Sequence, residues 1–229
     1  MKTDKIEIKV YNQTMQIARC YENGFRHRNL FPYILEGDYV YGSKSEQLVQ
    51  VELATMRTED DVFVDIGASC GAFSVFMRPF CKQVIAFEPA PGIYDILAHN
   101  LKHDGERTQC HNVALLNEEK PSTAYMKKWG SFDLNLYGSK EKDKPPTGLV
   151  PVPLQRFDDY KIVPNLVKID VEGCAGSVLM GGLESFIHSR AIFIEIHSDA
   201  EGKECLAILV SHLGCTARRI SHNYIVGWQ

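Results

Sequence analysis

The stretch VFVDIGASCGAF, residues 62–73, decides the fold of this 229-residue chain. It is apolar up to Asp65, and it then contains Gly67 and Gly71 among small residues. An apolar strand that ends at an acid and a glycine-rich turn is typical of the first strand–loop–helix unit of an open α/β sheet. Ligands of such sheets bind at the carboxyl ends of the strands, so we expect a ligand to lie against this loop.

Short apolar strands and helices continue to alternate along the chain. Further strands are predicted in KQVIAFEP, QCHNVALL, LVKIDVEG and AIFIEIH, with helical stretches after most of them. The segments TARRIS and YIVGW close the sequence as a hairpin. This rhythm predicts a mostly parallel sheet with a C-terminal antiparallel hairpin.

The chain divides into an extension and one larger domain. The sequence of residues 1–42 predicts a β-rich N-terminal extension. Its segments KIEIKVY and TMQIARCY alternate apolar and polar residues, as paired strands do. Residues 43–229 form the predicted domain, and residues 117–150 interrupt its rhythm without any long period. This interruption predicts either a lid that contacts a substrate or a plain surface loop. Three aromatic residues in it are candidate contacts: Trp129, Phe132 and Tyr137.

Composition narrows the class of protein. The net charge is −4 and no basic stripe is present, which argues against a nucleic-acid partner. Seven scattered cysteines without a C-x-x-C pair are typical of reduced thiols in a cytoplasmic protein. We expect no signal peptide and no membrane span, because no apolar stretch has the required position or length.

The spacing of the glycines separates two kinds of nucleotide site. Nicotinamide and flavin folds use G-x-G-x-x-G, whereas this chain has D-x-G-x-x-x-G at Asp65, Gly67 and Gly71. The next strand ends at Glu88, roughly 20 residues on, where an acid can accept hydrogen bonds from ribose hydroxyls. The pattern looks like motif I of class I S-adenosylmethionine (SAM) methyltransferases, and a nicotinamide oxidoreductase stays open as an alternative.

A charged strand end follows in KIDVEG, residues 168–173. Alternation puts Lys168, Asp170 and Glu172 on one side of the strand. Interior parallel strands are normally apolar on both faces, so these charges need partners or a function. We expect Lys168 to pair with Glu195 on the neighbouring strand AIFIEIH.

Several segments together resemble the FkbM-type methyltransferases over residues 43–229. In order they are FVDIGASCGAFS, AFEPAPG, NVALLNEE, VPLQRFDDY, VKIDVEG, SVLMGG and IFIEIH. The resemblance implies a Rossmann-like class I fold with sheet order 3-2-1-4-5-7-6 and SAM as the methyl donor. It also implies a hydroxyl acceptor, such as a sugar, a polyketide or another small or conjugated compound.

The resemblance and the strand ends together nominate the site residues. Asp170 is expected beside the methyl group as an acceptor ligand or base, with Glu172 close to it. His197, just past the end of its strand, is a candidate general base because histidine titrates near neutral pH. The expected cofactor contacts are Asp65, Gly67, Ala68, Ser69, Gly71, Glu88, Asn112 and Asp170.

One departure from the family pattern leaves the function open. Ala175 stands where the family has an acid, so either the acceptor differs, activity is impaired, or a helix cap worth about 1 kcal/mol is lost. A SAM-binding protein without catalysis is therefore a further alternative. We expect no metal, because Asp170, Glu172, Glu195 and His197 show no tight ligand spacing.

Overall fold

The fold is that of a computed structural model, which describes residues 2–10, 13–22, 25–26, 44–118, 122–128 and 148–229. Its first three strands form an antiparallel sheet in the order β1-β2-β3, so the extension is β-rich as predicted. Their bounds are β1 Lys2–Val10, β2 Gln13–Glu22 and β3 Phe25–Arg26. The predicted lid contacts Trp129, Phe132 and Tyr137 lie outside the described residues.

From residue 44 onward, the chain alternates strands and helices. The first part of this region contains α1 Lys44–Met56, β4 Val62–Ile66, α2 Ala72–Met77, β5 Gln83–Phe87, α3 Pro91–Leu101, β6 Thr108–His111, β7 Ala114–Leu115, β8 Ser122–Lys127 and β9 Leu149–Gln155. Its second part contains β10 Leu166–Ile169, α4 Ala175–Met180, α5 Leu183–Phe186, β11 Ala191–Glu195, α6 Asp199–Ser211, β12 Thr216–Arg219 and β13 Tyr224–Trp228. Short 3₁₀ helices span Lys102–Arg107 and Phe157–Tyr160.

Seven strands form the central sheet in the order β12-β13-β11-β10-β4-β5-β6. Five of them run parallel, and β13 is antiparallel to both of its neighbours. When the seven strands are renumbered 1 to 7 along the chain and read from β6 to β12, the order is 3-2-1-4-5-7-6, as predicted. Because β4 and β10 are neighbours, the glycine-rich turn and the KIDVEG strand end meet at one edge.

Apolar side chains cover both faces of this sheet, because the strands are almost continuously apolar. On one face Val64 and Ile169 pack with residues of α4 and α6. On the other face Phe63 and Phe193 pack with residues of α1, α2 and α3. Each fully buried side chain of this size stabilises the fold by roughly 1.5–3 kcal/mol, so helices must cover both faces.

The predicted loop at residues 117–150 is too wide, because β8 lies inside it and β9 begins inside it. These strands form a second, three-stranded sheet in the order β7-β9-β8. The sequence did not predict β9 because it contains Pro151 and Pro153, and proline is uncommon inside strands. Val152 and Leu154 alternate with these prolines and are buried.

Two other predicted elements are divided. The segment QCHNVALL contributes β6 to the central sheet and β7 to the small sheet. The helix predicted over GSVLMGGLESFIHS ends at Gly181 and restarts as α5. A side chain at Gly181 would meet the backbone of Leu116 at 2.5 Å, so this turn is held tightly against the chain.

Candidate active site

Two glycines of the loop at residues 67–71, the glycine loop, are required by the packing of the chain itself. Gly67 has φ +72°, and an added Cβ would lie 1.8 Å from the carbonyl oxygen of Asp170. Gly71 has φ +90°, and its Cβ would lie 2.7 Å from Leu97 Cδ1. Both positions therefore favour glycine whether or not a ligand is bound.

Hydrogen bonds within the chain occupy most N–H groups of the glycine loop. Gly67 and Ala68 both donate to the carbonyl of Phe87 at 3.0 Å. Ser69, at φ +51°, donates its N–H to Glu88 Oε2 at 2.9 Å, and Gly71 donates to the carbonyl of Ala68 at 2.8 Å. A pyrophosphate needs free N–H groups at such a turn, and these four are already used.

Glu88 presents a carboxylate at the end of β5. Oε1 accepts from the N–H of Ala90 at 2.8 Å, and Oε2 accepts from Ser69. Burial raises the pKa of Glu88 to about 7 against the opposing effect of these two N–H groups. Each oxygen keeps a further lone pair, so the carboxylate can still accept from two hydroxyls of a ligand.

Asn112 holds the turn that carries Glu88. Its Nδ2 donates to the carbonyls of Glu88 and Pro89, both at 2.9 Å. The side chain therefore fixes the backbone around Glu88, the residue predicted to bind the ribose. A direct contact of Asn112 with the cofactor stays a prediction.

Asp65 lies beneath the glycine loop and is fully buried. Ser74 Oγ donates to Oδ2 at 2.7 Å, which ties the start of α2 to the end of β4. Lys168 Nζ lies 3.5 Å from Oδ1.

Burial raises the pKa of the Cys70 thiol, in the glycine loop, to about 12, so this thiol is neutral and unsuited to act as a nucleophile.

Lys168 links the two strand ends. Its Nζ lies 3.2 Å from Asp170 Oδ2 and donates to the carbonyl of Gly67 at 3.4 Å. Burial alone would lower the pKa of this ammonium, but the carboxylates of Asp170 and Asp65 outweigh burial and raise it. Lys168 is therefore a fixed positive charge between the glycine loop and Asp170.

Lys168 and Glu195 do not form the predicted direct ion pair, although their charges interact at longer range. The strand register places Lys168 beside Phe193 on β11 and beside Asp65 on β4, so Glu195 lies two residues further along. Glu195 instead accepts a hydrogen bond from Tyr224 Oη at 2.6 Å. Burial, with a further contribution from nearby negative charge, raises the pKa of Glu195 to about 8.

Three predicted catalytic residues come together as one group, the acceptor cluster of Asp170, Glu172 and His197. His197 Nε2 lies 3.2 Å from Glu172 Oε2 and 3.9 Å from Asp170 Oδ1. Each side chain is between 27% and 31% exposed, so a solute can reach the cluster from solvent. Glu172 adopts φ +48°, in the left-handed region, at the turn that follows β10.

Glu201 is the residue of the site that sequence reasoning missed. It is buried, and its Oε1 accepts from the N–H of Ala175 at 3.2 Å while its Oε2 accepts from the N–H of His197 at 2.7 Å. Glu201 thus puts a carboxylate at the start of α4, where Ala175 lacks one. Its signal was the capping pattern Ser198-x-x-Glu201, in which Ser198 Oγ accepts from the N–H of Glu201 at 3.1 Å.

Comparison with known proteins identifies the family. The methyltransferase FkbM domain matches residues 61–218, more than half of the chain. The chain therefore belongs to the FkbM methyltransferase family within the class I methyltransferases. The predicted family and its cofactor, S-adenosylmethionine, are thereby confirmed.

Two methyltransferases are similar in sequence. Methyltransferase 1 of Beauveria bassiana is 30% identical over 146 residues, which cover 54% of this chain and 59% of that protein. Methyltransferase sdnD of Sordaria araneosa is 34% identical over 83 residues, which cover 31% of this chain and 32% of that protein. The matches thus span less than two thirds of either relative.

Solved structures share the fold at low sequence identity. A methyltransferase FkbM from Methylobacillus flagellatus KT has a TM-score of 0.56 and 16% identity, covering 75% of this chain and 44% of that one. The T. thermophilus 16S rRNA methyltransferase RsmC, in complex with AdoMet and guanosine, has a TM-score of 0.54 and 8% identity, covering 99% and 50%. Among the described residues, no helix is long and apolar enough to cross a membrane.

Proposed function

We propose that this chain is an SAM-dependent O-methyltransferase that acts on a hydroxyl group of a small molecule or glycoconjugate. One observation supports this most strongly: the acceptor cluster lies at the same sheet edge as Glu88 and the glycine loop, joined to them through Lys168. A negatively charged chain without a basic stripe favours such acceptors over nucleic acid. Six free cysteines in the described residues favour the cytoplasm.

The polar groups of the site fit SAM better than a dinucleotide. SAM carries a sulfonium, an amine and two ribose hydroxyls, which are positive charges and hydrogen-bond donors, together with one carboxylate, and it has no phosphate. The site offers the Glu88 carboxylate as an acceptor, whereas the loop N–H groups that would bind a pyrophosphate are occupied. Glu88 would hold the ribose, and the backbone of the glycine loop would lie against the methionine part.

The chain's own residues position an acceptor and receive its proton. When bound, the cofactor supplies a methyl group that an acceptor oxygen attacks as the methyl–sulfur bond breaks and sulfur keeps the bonding pair. Asp170 accepts a hydrogen bond from the acceptor hydroxyl, while Lys168 fixes its other oxygen. His197, whose ring contacts Glu172 and whose backbone N–H donates to Glu201, takes the proton that leaves the acceptor.

Positioning accounts for a large part of the expected rate. Holding the acceptor in line can lower the activation barrier by several kcal/mol. A positioned base increases the rate roughly 10²–10⁴-fold. The acceptor cluster, about a quarter to a third exposed, lies beside the glycine loop and the buried Glu88, which suits this division between the two ligands. The cofactor is held by backbone and buried groups, and the acceptor meets side chains that solvent can reach.

Two other functions keep a specific observation in their favour. Ala175 lacks the family acid, which favours a protein that binds SAM without transferring its methyl group. Glu201 weakens this alternative, because it supplies a carboxylate at the same helix start. The strand–loop–acid order also suits a nicotinamide enzyme, against which the occupied loop N–H groups argue.

The test combines binding with turnover. Calorimetry with SAM and with NADH should show SAM binding and no NADH binding, and a tritiated-methyl assay on a panel of hydroxyl compounds should show transfer. SAM binding without transfer to any acceptor would favour the non-catalytic alternative. NADH binding without SAM binding would overturn the methyltransferase proposal.

A further inference from the structure

The acceptor cluster brings together three side chains that commonly bind metal ions. One ligand atom each from Asp170, Glu172 and His197 lies within 4.8 Å of the other two. They come from the turn after β10 and the end of β11, so no short sequence motif joins them. This explains why ligand spacing along the chain predicted no metal.

The distances within the cluster fit a common ion. Bonds of about 2.1 Å at cis-octahedral or tetrahedral angles put neighbouring ligand atoms roughly 3.0–3.5 Å apart. His197 Nε2 is 3.2 Å from Glu172 Oε2 and 3.9 Å from Asp170 Oδ1. The third pair of ligand atoms, from Asp170 and Glu172, lies within 4.8 Å, so the three side chains would draw together around one ion.

The two oxygens of Asp170 have separate neighbours. Oδ2 accepts from Lys168, whereas Oδ1 is the oxygen that faces His197. The ammonium thus holds the carboxylate in a fixed orientation and leaves Oδ1 directed into the cluster. A ligating carboxylate with a hydrogen bond to its second oxygen is the usual arrangement at metal sites.

A second, independent observation is the buried acid behind the imidazole. Glu201 is 5% exposed, and its Oε2 lies 3.7 Å from His197 Nδ1, the ring nitrogen that faces away from the cluster. The same oxygen accepts the backbone N–H of His197 at 2.7 Å. At 3.7 Å this ring contact is an electrostatic one and not a hydrogen bond. Metal-binding histidines typically have a carboxylate at the far nitrogen, and Glu201 is the carboxylate nearest to that position here.

We propose that Asp170, Glu172 and His197 bind one divalent cation, of the Mn²⁺ type, which holds the methyl acceptor. Two carboxylates and one imidazole combine the ligands preferred by hard and borderline ions. Three protein ligands leave coordination positions open on a six-coordinate ion. An acceptor with two adjacent oxygens, such as a vicinal diol, fits two of them.

This proposal rests on the proposed function and changes how the acceptor loses its proton. On the cation, the acceptor O–H bond breaks, oxygen keeps the electron pair, and the proton passes to solvent water. His197 is then a ligand and not the base, because a ring nitrogen bound to metal cannot take a proton. Metal dependence therefore distinguishes the two roles of His197.

The direct experiment is titration of the metal-free chain with MnCl₂ in the absence of SAM, followed by calorimetry and by the Mn²⁺ electron paramagnetic resonance signal. One Mn²⁺ should bind, and Glu172→Gln and His197→Ala should each weaken binding at least tenfold. Glu184→Gln, an exposed acid on α5, is the control and should bind Mn²⁺ like the unaltered chain. Thermal unfolding and SAM binding verify that each variant is folded.

The outcomes separate the cation from the function. No Mn²⁺ binding at millimolar concentration, or equal binding by Glu172→Gln and the unaltered chain, would overturn the cation site. Methyl transfer that continues in EDTA would also overturn it while leaving the methyltransferase function intact. Mn²⁺ binding without methyl transfer would support the cation site and count against the proposed function.

Discussion

The two halves of the sheet edge are built in different ways. At the ends of β4 and β5, the N–H groups of the glycine loop bond to nearby carbonyls and, through Ser69, to the buried Glu88 carboxylate. At the ends of β10 and β11, the acceptor cluster consists of side chains that are about a quarter to a third exposed. The first half is preorganised by local bonds, whereas the second depends on strands from distant parts of the chain.

This difference predicts that changes in the first half act on stability and cofactor affinity, and changes in the second act on turnover. One position belongs to both halves. Gly67 of the glycine loop lies against the carbonyl of Asp170, and Lys168 bonds to both residues. Variants of these residues test how far the halves are independent.

The largest effect is expected from Gly67→Ala. The new Cβ would lie 1.8 Å from the carbonyl oxygen of Asp170 at a φ of +72°, so the two strand ends must separate. We expect the free energy of unfolding to fall by more than about 3 kcal/mol in urea denaturation. Gly214→Ala is the matched control, because its φ is +67° and nothing lies within 4 Å, so it should cost about 1 kcal/mol. Equal losses in both variants would contradict the close approach.

Asp170→Asn should separate turnover from cofactor binding. The amide keeps the shape but loses the charge that meets the acceptor, so we expect kcat to fall about 100-fold while SAM affinity stays within about twofold. The tritiated-methyl assay and calorimetry give the two values, with Glu184→Gln as the control. A loss confined to SAM affinity would assign Asp170 to cofactor binding and not to the acceptor.

Ala175→Asp tests whether Glu201 takes the place of the family acid. A second carboxylate at the start of α4 would lie beside the buried Glu201, so we expect a loss of about 2 kcal/mol in the free energy of unfolding. Combining it with Glu201→Gln should recover part of that loss, measured as a double-mutant cycle. Additive losses would show that the two acids do not share a site.

Glu88→Gln should weaken SAM binding about tenfold, which corresponds to about 1.4 kcal/mol. The N–H groups of Ser69 and Ala90 donate to different oxygens of Glu88, and the ribose hydroxyls need acceptors as well. An amide has only one acceptor oxygen, so it cannot serve all of these donors. Calorimetry measures the affinity. An affinity equal to that of the unaltered chain would remove Glu88 from the cofactor site.

The smallest effect is a pH dependence that also belongs to Glu88. With a folded pKa of about 7, the carboxylate ionises between pH 6 and 8, so SAM affinity should rise about fivefold over that interval. The folded pKa of Glu88 lies above its ordinary value of 4.5, so between these two values the folded chain binds this proton more tightly than the unfolded chain does. The contribution of Glu88 to the free energy of unfolding therefore falls as pH rises from 4.5 to 7. Calorimetry at pH 6 and pH 8 measures the affinity, and Glu88→Gln should flatten the response. A flat response in the unaltered chain would contradict the shift.

Much of the first half, at the ends of β4 and β5, could be predicted because its signals are local. Asp65, Gly67 and Gly71 follow one another within a single turn, and Glu88 ends the next strand. The spacing alone identified the loop, but it assigned the glycines to a ligand. The structure shows that Asp170 and Leu97 also require them, because the added Cβ atoms would meet these residues.

The sequence by itself determined the alternation of strands and helices, the seven-strand order through its family pattern, and the residues at the strand ends. These follow from the spacing of apolar residues and glycines, which acts over a few residues. Only the tertiary structure decided that Lys168 meets Asp65 and Asp170, and that Glu201 stands where Ala175 lacks an acid. The physical reason is that strand register and helix placement are set by packing between distant segments, which determines which charges become neighbours.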